Sequence, residues 1–314
     1  MRIIIASSID PTTIRHLQER HDVVCATDGS RERLLELIKD REALVFRSGV
    51  NVDLELLMRA PDLRLIVRAG CGLDNLDLDY VSKHNIVLER ISEPAAIAVA
   101  ELTFALMTGV ARRVREADAL LRQGRWAKKE MTGHLLWGKT LGIIGAGNIG
   151  GRVGQLGSAY GMRVLGCVEH PDEAEARLMS RGIELATFQQ VLAESDFITI
   201  HVPLKESTHN LVDARAISAM KPGSFLLNMA RGGVVDENAL YDALASGKIK
   251  GAALDVHQNE GEGKISPLAS LPNVLLTPHI GSSTFETQLD IGRRLIELIN
   301  KFAAISTPLA AVAD

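Results

Sequence analysis

Short aliphatic runs alternate with helix-period segments along this 314-residue chain, and no other feature limits its fold as much. Runs that are apolar at nearly every position suit strands buried on both faces, and strands separated by helices form parallel sheets with helices packed on each side. In the first part of the chain the expected strands are 3–6, 23–26, 43–46, 65–68 and 86–89, with helical spacing between them, as at Leu34, Leu37 and Ile38. Five strands of this kind predict a flavodoxin-like unit. A long helical stretch, 94–123, then carries the chain to a second set at 140–145, 163–168, 196–200, 224–228, 251–255 and 274–277. One more helix is expected over 285–302, with Leu289, Leu295, Ile296 and Ile299 near one face.

Composition narrows the class of protein. A hydrophobic content of 46% and a net charge of -4 describe a soluble globular chain without the basic excess that nucleic-acid or membrane binding would show. Cys25, Cys71 and Cys167 have neither paired nor metal-ligand spacing, which points to a reducing cytoplasm, and no metal site is expected. The start, MRIIIASSID, reads as a first strand rather than a signal peptide. The stretch 95–111 is nearly apolar, but Glu101 interrupts it and it falls short of a bilayer span, so a buried helix is expected there.

The strongest local motif is Gly145-Ala146-Gly147-Asn148-Ile149-Gly150. An aliphatic strand precedes it, and Ile149, Val153, Leu156 and Tyr160 recur at helical spacing behind it. In that setting Gly145 makes the tight turn, Gly147 lets a pyrophosphate approach, and Gly150 packs the helix on its strand. The six later strands are therefore expected to form a Rossmann dinucleotide-binding domain. The next strand ends in Val168, so Glu169 is the carboxylate placed to reach the adenosine ribose. A negative charge there would repel the extra phosphate of NADP, which favours NAD.

Three residues beyond later strands complete a reaction centre: Arg231 in NMARGGVVDE, Glu260 in ALDVHQNE and His279 in LTPHIGSST. Residues just past the carboxyl ends of strands converge on the ligand crevice of an α/β sheet. A guanidinium would grip a substrate carboxylate or carbonyl through a planar fork that lysine cannot copy. An imidazole would move the proton in reduction of a 2-keto acid, and a neighbouring carboxylate would favour the imidazolium and raise the histidine pKa. Isolated, each residue is ordinary: a structural hydrogen-bonder, a surface ion pair, a solvated loop charge.

With these motifs in view, the chain resembles the D-isomer-specific 2-hydroxyacid dehydrogenases, and within them the D-3-phosphoglycerate dehydrogenase branch. The likeness runs from VFRSGV and RAGCGLDNLD through GKTLGIIGAGNIG and HVPLKEST to ARGGVVDE, AALDV and TPHIGSST. It implies two doubly wound domains: a substrate domain, 1–96 with 284–314, and an NAD-binding domain, 97–283, with a dimer-forming arm near 120–138 that includes Trp126. Arg231, Glu260 and His279 then become the catalytic positions. Ala69, Gly70, Cys71 and Gly72 would offer backbone N–H groups to the substrate carboxylate, and Arg47 and Ser48 would belong to a loop closing over it. On the cofactor side the resemblance implies Asn148 and Ile149 at the pyrophosphate, and Val202 and Pro203 near the adenosine. Met229, Ala230 and Arg231 would lie near the nicotinamide, Asp255 on its carboxamide, and His279, Gly281 and Ser282 along its border.

The chain also departs from that branch. Val168 stands where it carries Asp, RISEPAAIAVAE replaces an Asn-rich substrate segment, His257 replaces an aromatic residue and Gly261 a proline. The expected substrate is therefore a small acidic 2-hydroxy or 2-keto acid, with hydroxypyruvate, glyoxylate, phosphoglycerate-like and sulfolactate-like compounds all open. Glu260 sets the chain apart from the formate dehydrogenase branch, which has Gln there. An NADH-sensing corepressor of the same fold is the alternative from another class. The carboxy-terminal regulatory domain of many relatives is not expected, and with it feedback by an amino acid.

Overall fold

The structure is a computed structural model that describes residues 1–306. It divides into two compact units, Met1–Ala95 with the chain from Ser282 onward, and Ala96–Gly281. Residues 307–314, assigned from the sequence to the substrate domain, lie outside the described residues.

The first unit is built on β1 (Arg2–Ile5), β2 (Asp22–Cys25), β3 (Ala43–Phe46), β4 (Leu65–Arg68) and β5 (Val87–Arg90). They pair in the order β2-β1-β3-β4-β5, every pair parallel, which is the flavodoxin-like order. Successive side chains point to opposite faces of a strand, and both faces are filled. Ile4, Leu44, Phe46 and Ile66 enter one core, while Ile3, Ile5, Val45, Leu65 and Val67 enter the other. The helix Phe285–Ser306 covers the second face with Ile291, Leu295 and Ile299, so the tail does return to the first unit. Leu289, expected on that face, is 59% exposed. It lies about 200° around the helix from Ile291, and Ile291 takes the buried position.

The second unit holds β6 (Thr140–Ile144), β7 (Arg163–Cys167), β8 (Glu184–Leu185), β9 (Phe197–Ile200), β10 (Ser224–Asn228), β11 (Ile249–Leu254) and β12 (Val274–Leu276). The order is β12-β11-β10-β9-β6-β7-β8, again wholly parallel. Six of these seven strands were expected. The seventh, β8, pairs only Glu184 and Leu185 with Leu165 and Gly166, and an edge strand of two residues leaves no apolar run to read. Strand order reverses between β6 and β9 here, and between β1 and β3 in the first unit. At such switch points an α/β sheet opens a crevice beyond its strand ends.

The helical stretch expected over 94–123 is two helices, Glu93–Ala111 and Val114–Arg122. The break has a local cause. The Ala111 carbonyl accepts the His134 N–H at 2.9 Å instead of continuing the helical ladder, and Arg113 turns left-handed at φ 54°. The Arg113 guanidinium holds that turn through Glu116 and the Glu130 carbonyl. Arg112, Arg113 and Arg115 are therefore exposed at a junction rather than along one helix. The helix Glu93–Ala111 is long and apolar enough to cross a bilayer by length and composition, yet 67% of that window is buried. Ala100, Phe104, Met107 and Ala111 place it in the second unit's core.

The first unit's stability is expected to hinge on this two-sided burial. Leu44 is 0% exposed in the middle of β3, so Leu44→Ala should cost about 2–5 kcal/mol. Urea unfolding would show it as a lower midpoint, and an unchanged midpoint would contradict the packing described.

Candidate active site

The glycine turn sits at the second unit's switch point. Gly145 has φ 91°, and a Cβ there would come within 2.8 Å of the His201 carbonyl oxygen, so the ends of β6 and β9 nearly touch. A Cβ on Gly150 would press on the Gly145 carbonyl and on Ile143, which fixes the following helix closely against its strand. Around Gly147 the opposite holds: a Cβ would meet nothing within 4 Å. No side chain caps the helix Asn148–Ala159 that opens there, so its first N–H groups and dipole face open space. Those features fit a bound pyrophosphate. Asn148 is exposed and Ile149 half-buried at the same mouth.

Other cofactor candidates also lie past strand ends. Glu169 is exposed beyond β7, and its carboxylate meets Lys205 Nζ at 3.3 Å. Sequence reasoning passed over Lys205, which lies in HVPLKEST, 36 positions away with no local sign of the pairing. Val202 and Pro203 follow β9, with the Pro203 carbonyl accepting the Thr208 hydroxyl. Met229 and Ala230 are buried, so a ligand beside them would meet backbone. His201 is not a proton carrier: its Nε2 pairs with the Thr199 hydroxyl, and burial pushes its pKa down to about 3.

Arg231, Glu260 and His279 follow β10, β11 and β12 in the chain, and two of them meet. Glu260 Oε2 lies 2.9 Å from His279 Nδ1, and Glu260 Oε1 accepts the His257 N–H at 3.0 Å. Partial burial pushes the Glu260 pKa up, but the bonds from His279 and His257 outweigh it and hold the carboxyl below its ordinary range. His279 itself has φ 55°, a left-handed conformation costing about 1–3 kcal/mol unless its surroundings enforce it. Here they do. The His279 N–H bonds the Asp255 carbonyl at 2.8 Å, and the Asp255 carboxylate accepts from Thr277 Oγ1, Ile280 N and Gly281 N at 2.6, 2.9 and 2.8 Å. Asp255, expected on the nicotinamide, is thus 3% exposed and also organises the turn that presents His279. Arg231 donates to the Ala230 carbonyl at 2.7 Å, and Asn228 secures its backbone.

The first unit has polar residues at its own switch point. Ser7 Oγ, beyond β1, accepts the Arg47 N–H, beyond β3, at 2.8 Å. The Arg47 side chain is half-buried and donates to Ser282 Oγ at 3.2 Å, so Ser282 sits with Arg47 in this unit. Burial lowers the Arg47 pKa, and among the described residues Arg47 makes no ion pair. Ser48 is exposed. In the next turn the Ala69 and Gly70 N–H groups already bond the Phe46 and Arg68 carbonyls, so these two shape the turn rather than donate to a ligand. Cys71 Sγ donates to the Ser92 carbonyl at 3.3 Å, and the Gly72 carbonyl accepts from buried Arg68 at 2.7 Å.

Comparison with known proteins agrees with this architecture. Residues 104–281 match the family described as D-isomer specific 2-hydroxyacid dehydrogenase, NAD binding domain. The chain is 40% identical over 302 residues to a D-3-phosphoglycerate dehydrogenase of Methanocaldococcus jannaschii, covering 96% of this chain and 57% of that protein. It is 37% identical over 303 residues to a hydroxypyruvate reductase of Thermotoga maritima, covering 96% and 97%. A D-lactate dehydrogenase from Aquifex aeolicus, solved with NAD and lactic acid, superposes with a TM-score of 0.84 at 31% identity over 96% of each chain. The chain spans little more than half the length of the phosphoglycerate dehydrogenases it matches. It belongs to the D-isomer-specific 2-hydroxyacid dehydrogenases and carries that family's NAD-binding domain.

The charge on Glu260 has a definite pH range. Because the folded pKa of Glu260 is depressed, its contribution is complete above the unfolded value and is lost as pH falls through the lower, folded one. The Glu260 carboxyl 13C resonance should therefore titrate with a midpoint below 4.5, the ordinary value. In His279→Ala the midpoint should rise, and no change would mean that the histidine does not stabilise the carboxylate.

Proposed function

We propose that the protein is an NAD-dependent dehydrogenase that interconverts a small acidic 2-keto acid and its 2-hydroxy acid. The observation that carries the proposal is the Glu260–His279 contact at 2.9 Å, in a unit whose glycine turn fits a dinucleotide. The Gly145–Gly150 turn would hold NAD(H), which when bound would supply the hydride to the substrate's carbonyl carbon, or its oxidised form would accept one from the hydroxy acid. Since Glu260 occupies Nδ1, His279 presents Nε2 to the substrate oxygen. It donates a proton as that oxygen gains negative charge, and takes the proton back in oxidation. Glu260 fixes the ring's orientation and stabilises the imidazolium. Arg231 grips the substrate carboxylate or carbonyl as a planar fork.

The preference for an acidic substrate comes from Arg47. A half-buried guanidinium without an acidic partner among the described residues suits an anion. Asp255 and Gly281 reach the nicotinamide border in this proposal, and Glu169 with Lys205 the ribose. For the partner we assign a second copy of the chain. Trp126, Leu135 and Trp137, all within the 120–138 arm, are 80%, 68% and 72% exposed, and large apolar side chains left open in this way suit a protein interface. Three cysteines that form no disulfide support a cytoplasmic setting.

The test is NADH oxidation on hydroxypyruvate, glyoxylate, phosphohydroxypyruvate and sulfopyruvate. At least one should be turned over, with His279→Ala lowering kcat about 100-fold or more while NADH binding persists. No oxidation on the whole panel, with NADH-dependent capture of a protein partner, would favour the corepressor alternative.

Cofactor choice gives a separate outcome. Glu169→Ala removes the carboxylate that would repel a 2′-phosphate and releases Lys205 to attract one. The ratio of kcat/KM for NADH to that for NADPH should fall. If the ratio is unchanged, another residue sets the preference.

A further inference from the structure

We propose that Glu237 is a positioning residue for the reaction centre, holding the loop of Glu260 where its carboxylate meets His279. It rests on the dehydrogenase function proposed above. Glu237 opens the helix Glu237–Ala245, directly after the ARGGVVD segment that carries Arg231, and is 4% exposed. Burying a carboxylate is costly unless hydrogen bonds satisfy it. The helix end does not require this one, since Asp236 already caps it by accepting from Asn238 and Ala239 N–H.

What Glu237 binds is the loop beyond β11. Its Oε1 accepts the Gln258 N–H at 2.6 Å and its Oε2 accepts the Ser266 hydroxyl at 2.9 Å. Those two points bracket Glu260. The preceding N–H, that of His257, goes to Glu260 itself at 3.0 Å, so consecutive amides are divided between two glutamates. Gly232, the neighbour of Arg231, packs on the same peptide: a Cβ there would overlap the His257 carbonyl and approach Gln258 N to 2.9 Å. The His257 ring reaches the Thr277 carbonyl at 3.0 Å, two residues before His279. The 257–258 peptide is therefore a joint where the Arg231 turn, the Glu260 loop and the end of β12 meet, and Glu237 is the clamp on it. Glutamine keeps an acceptor for the Gln258 N–H but loses the negative charge, and toward Ser266 its amide would have to donate to a hydroxyl that already accepts the Leu268 N–H at 3.3 Å. The N-terminal first turn of the helix is also where a negative charge is favoured.

The experiment uses Glu237→Gln, with Ser266→Ala as a milder variant that removes one donor and keeps the carboxylate. The first readout is the pair of ring 15N shifts of His279 in histidine-labelled protein, assigned by their loss in His279→Ala. In both variants these should move toward the values of Glu260→Gln. On whichever keto acid the wild type reduces, Glu237→Gln should lower kcat about tenfold or more, leave NADH affinity unchanged, and combine non-additively with Glu260→Gln. Ring shifts identical to wild type in both folded variants, or a kcat loss that adds in full to that of Glu260→Gln, would overturn the proposal. The ring shifts need no turnover, so a wild type inactive on the whole panel would refute the dehydrogenase function while this measurement still decided the role of Glu237.

Discussion

Burial of every central strand on both faces is the constraint from which the rest of this molecule follows. With Ile3, Ile4 and Ile5 all at 0% exposure, a strand interior is closed to a ligand. Chemistry is confined to the places where the strands stop. The chain obeys this in both units: Arg47 beyond β3, the 69–72 turn beyond β4, the glycine turn beyond β6, and Arg231, Asp255 and His279 beyond β10, β11 and β12. Parallel pairing puts those stops along one edge of each sheet. The same apolar runs that drive folding thereby choose where ligands can bind.

Beyond the strand ends, the acids are organised by backbone amides more than by opposite charges. Asp255 accepts from Ile280 and Gly281 N–H, Glu260 from His257 N–H, and Glu237 from Gln258 N–H. An amide carries no counter-charge and cannot swing away as a lysine does. A carboxylate held by amides keeps its full negative charge for the group it faces, and Glu260 faces an imidazole. Surface pairs such as Arg122–Asp118 contribute little by comparison, since solvent screens them.

Legibility from the sequence divided along physical lines. Period and motif were enough for the parallel architecture, the glycine turn and the family, because apolar runs and fixed spacings are local properties. Features that depend on contacts between distant segments were not legible. Strand β8 is two residues long; the break before Arg113 depends on His134, 23 positions downstream of the Ala111 carbonyl it takes. Lys205 meets Glu169 only because β7 and β9 flank β6 in the sheet. Asp255 and Glu237 were both inside quoted motifs, but what their carboxylates hold lies 21 to 29 residues away in sequence, and only the fold shows it.

The positive φ of His279 has a consequence for the energetics of the proton transfer proposed for it. A side chain whose direction is set by a left-handed backbone, itself pinned by a buried carboxylate, meets the cost of its orientation when the chain folds. Under the proposed function, little would be left to reorganise when substrate arrives. The folding free energy of the second unit would then be partly invested in lowering a barrier, and a more relaxed turn at 279 would make the unit more stable and the proton slower to move.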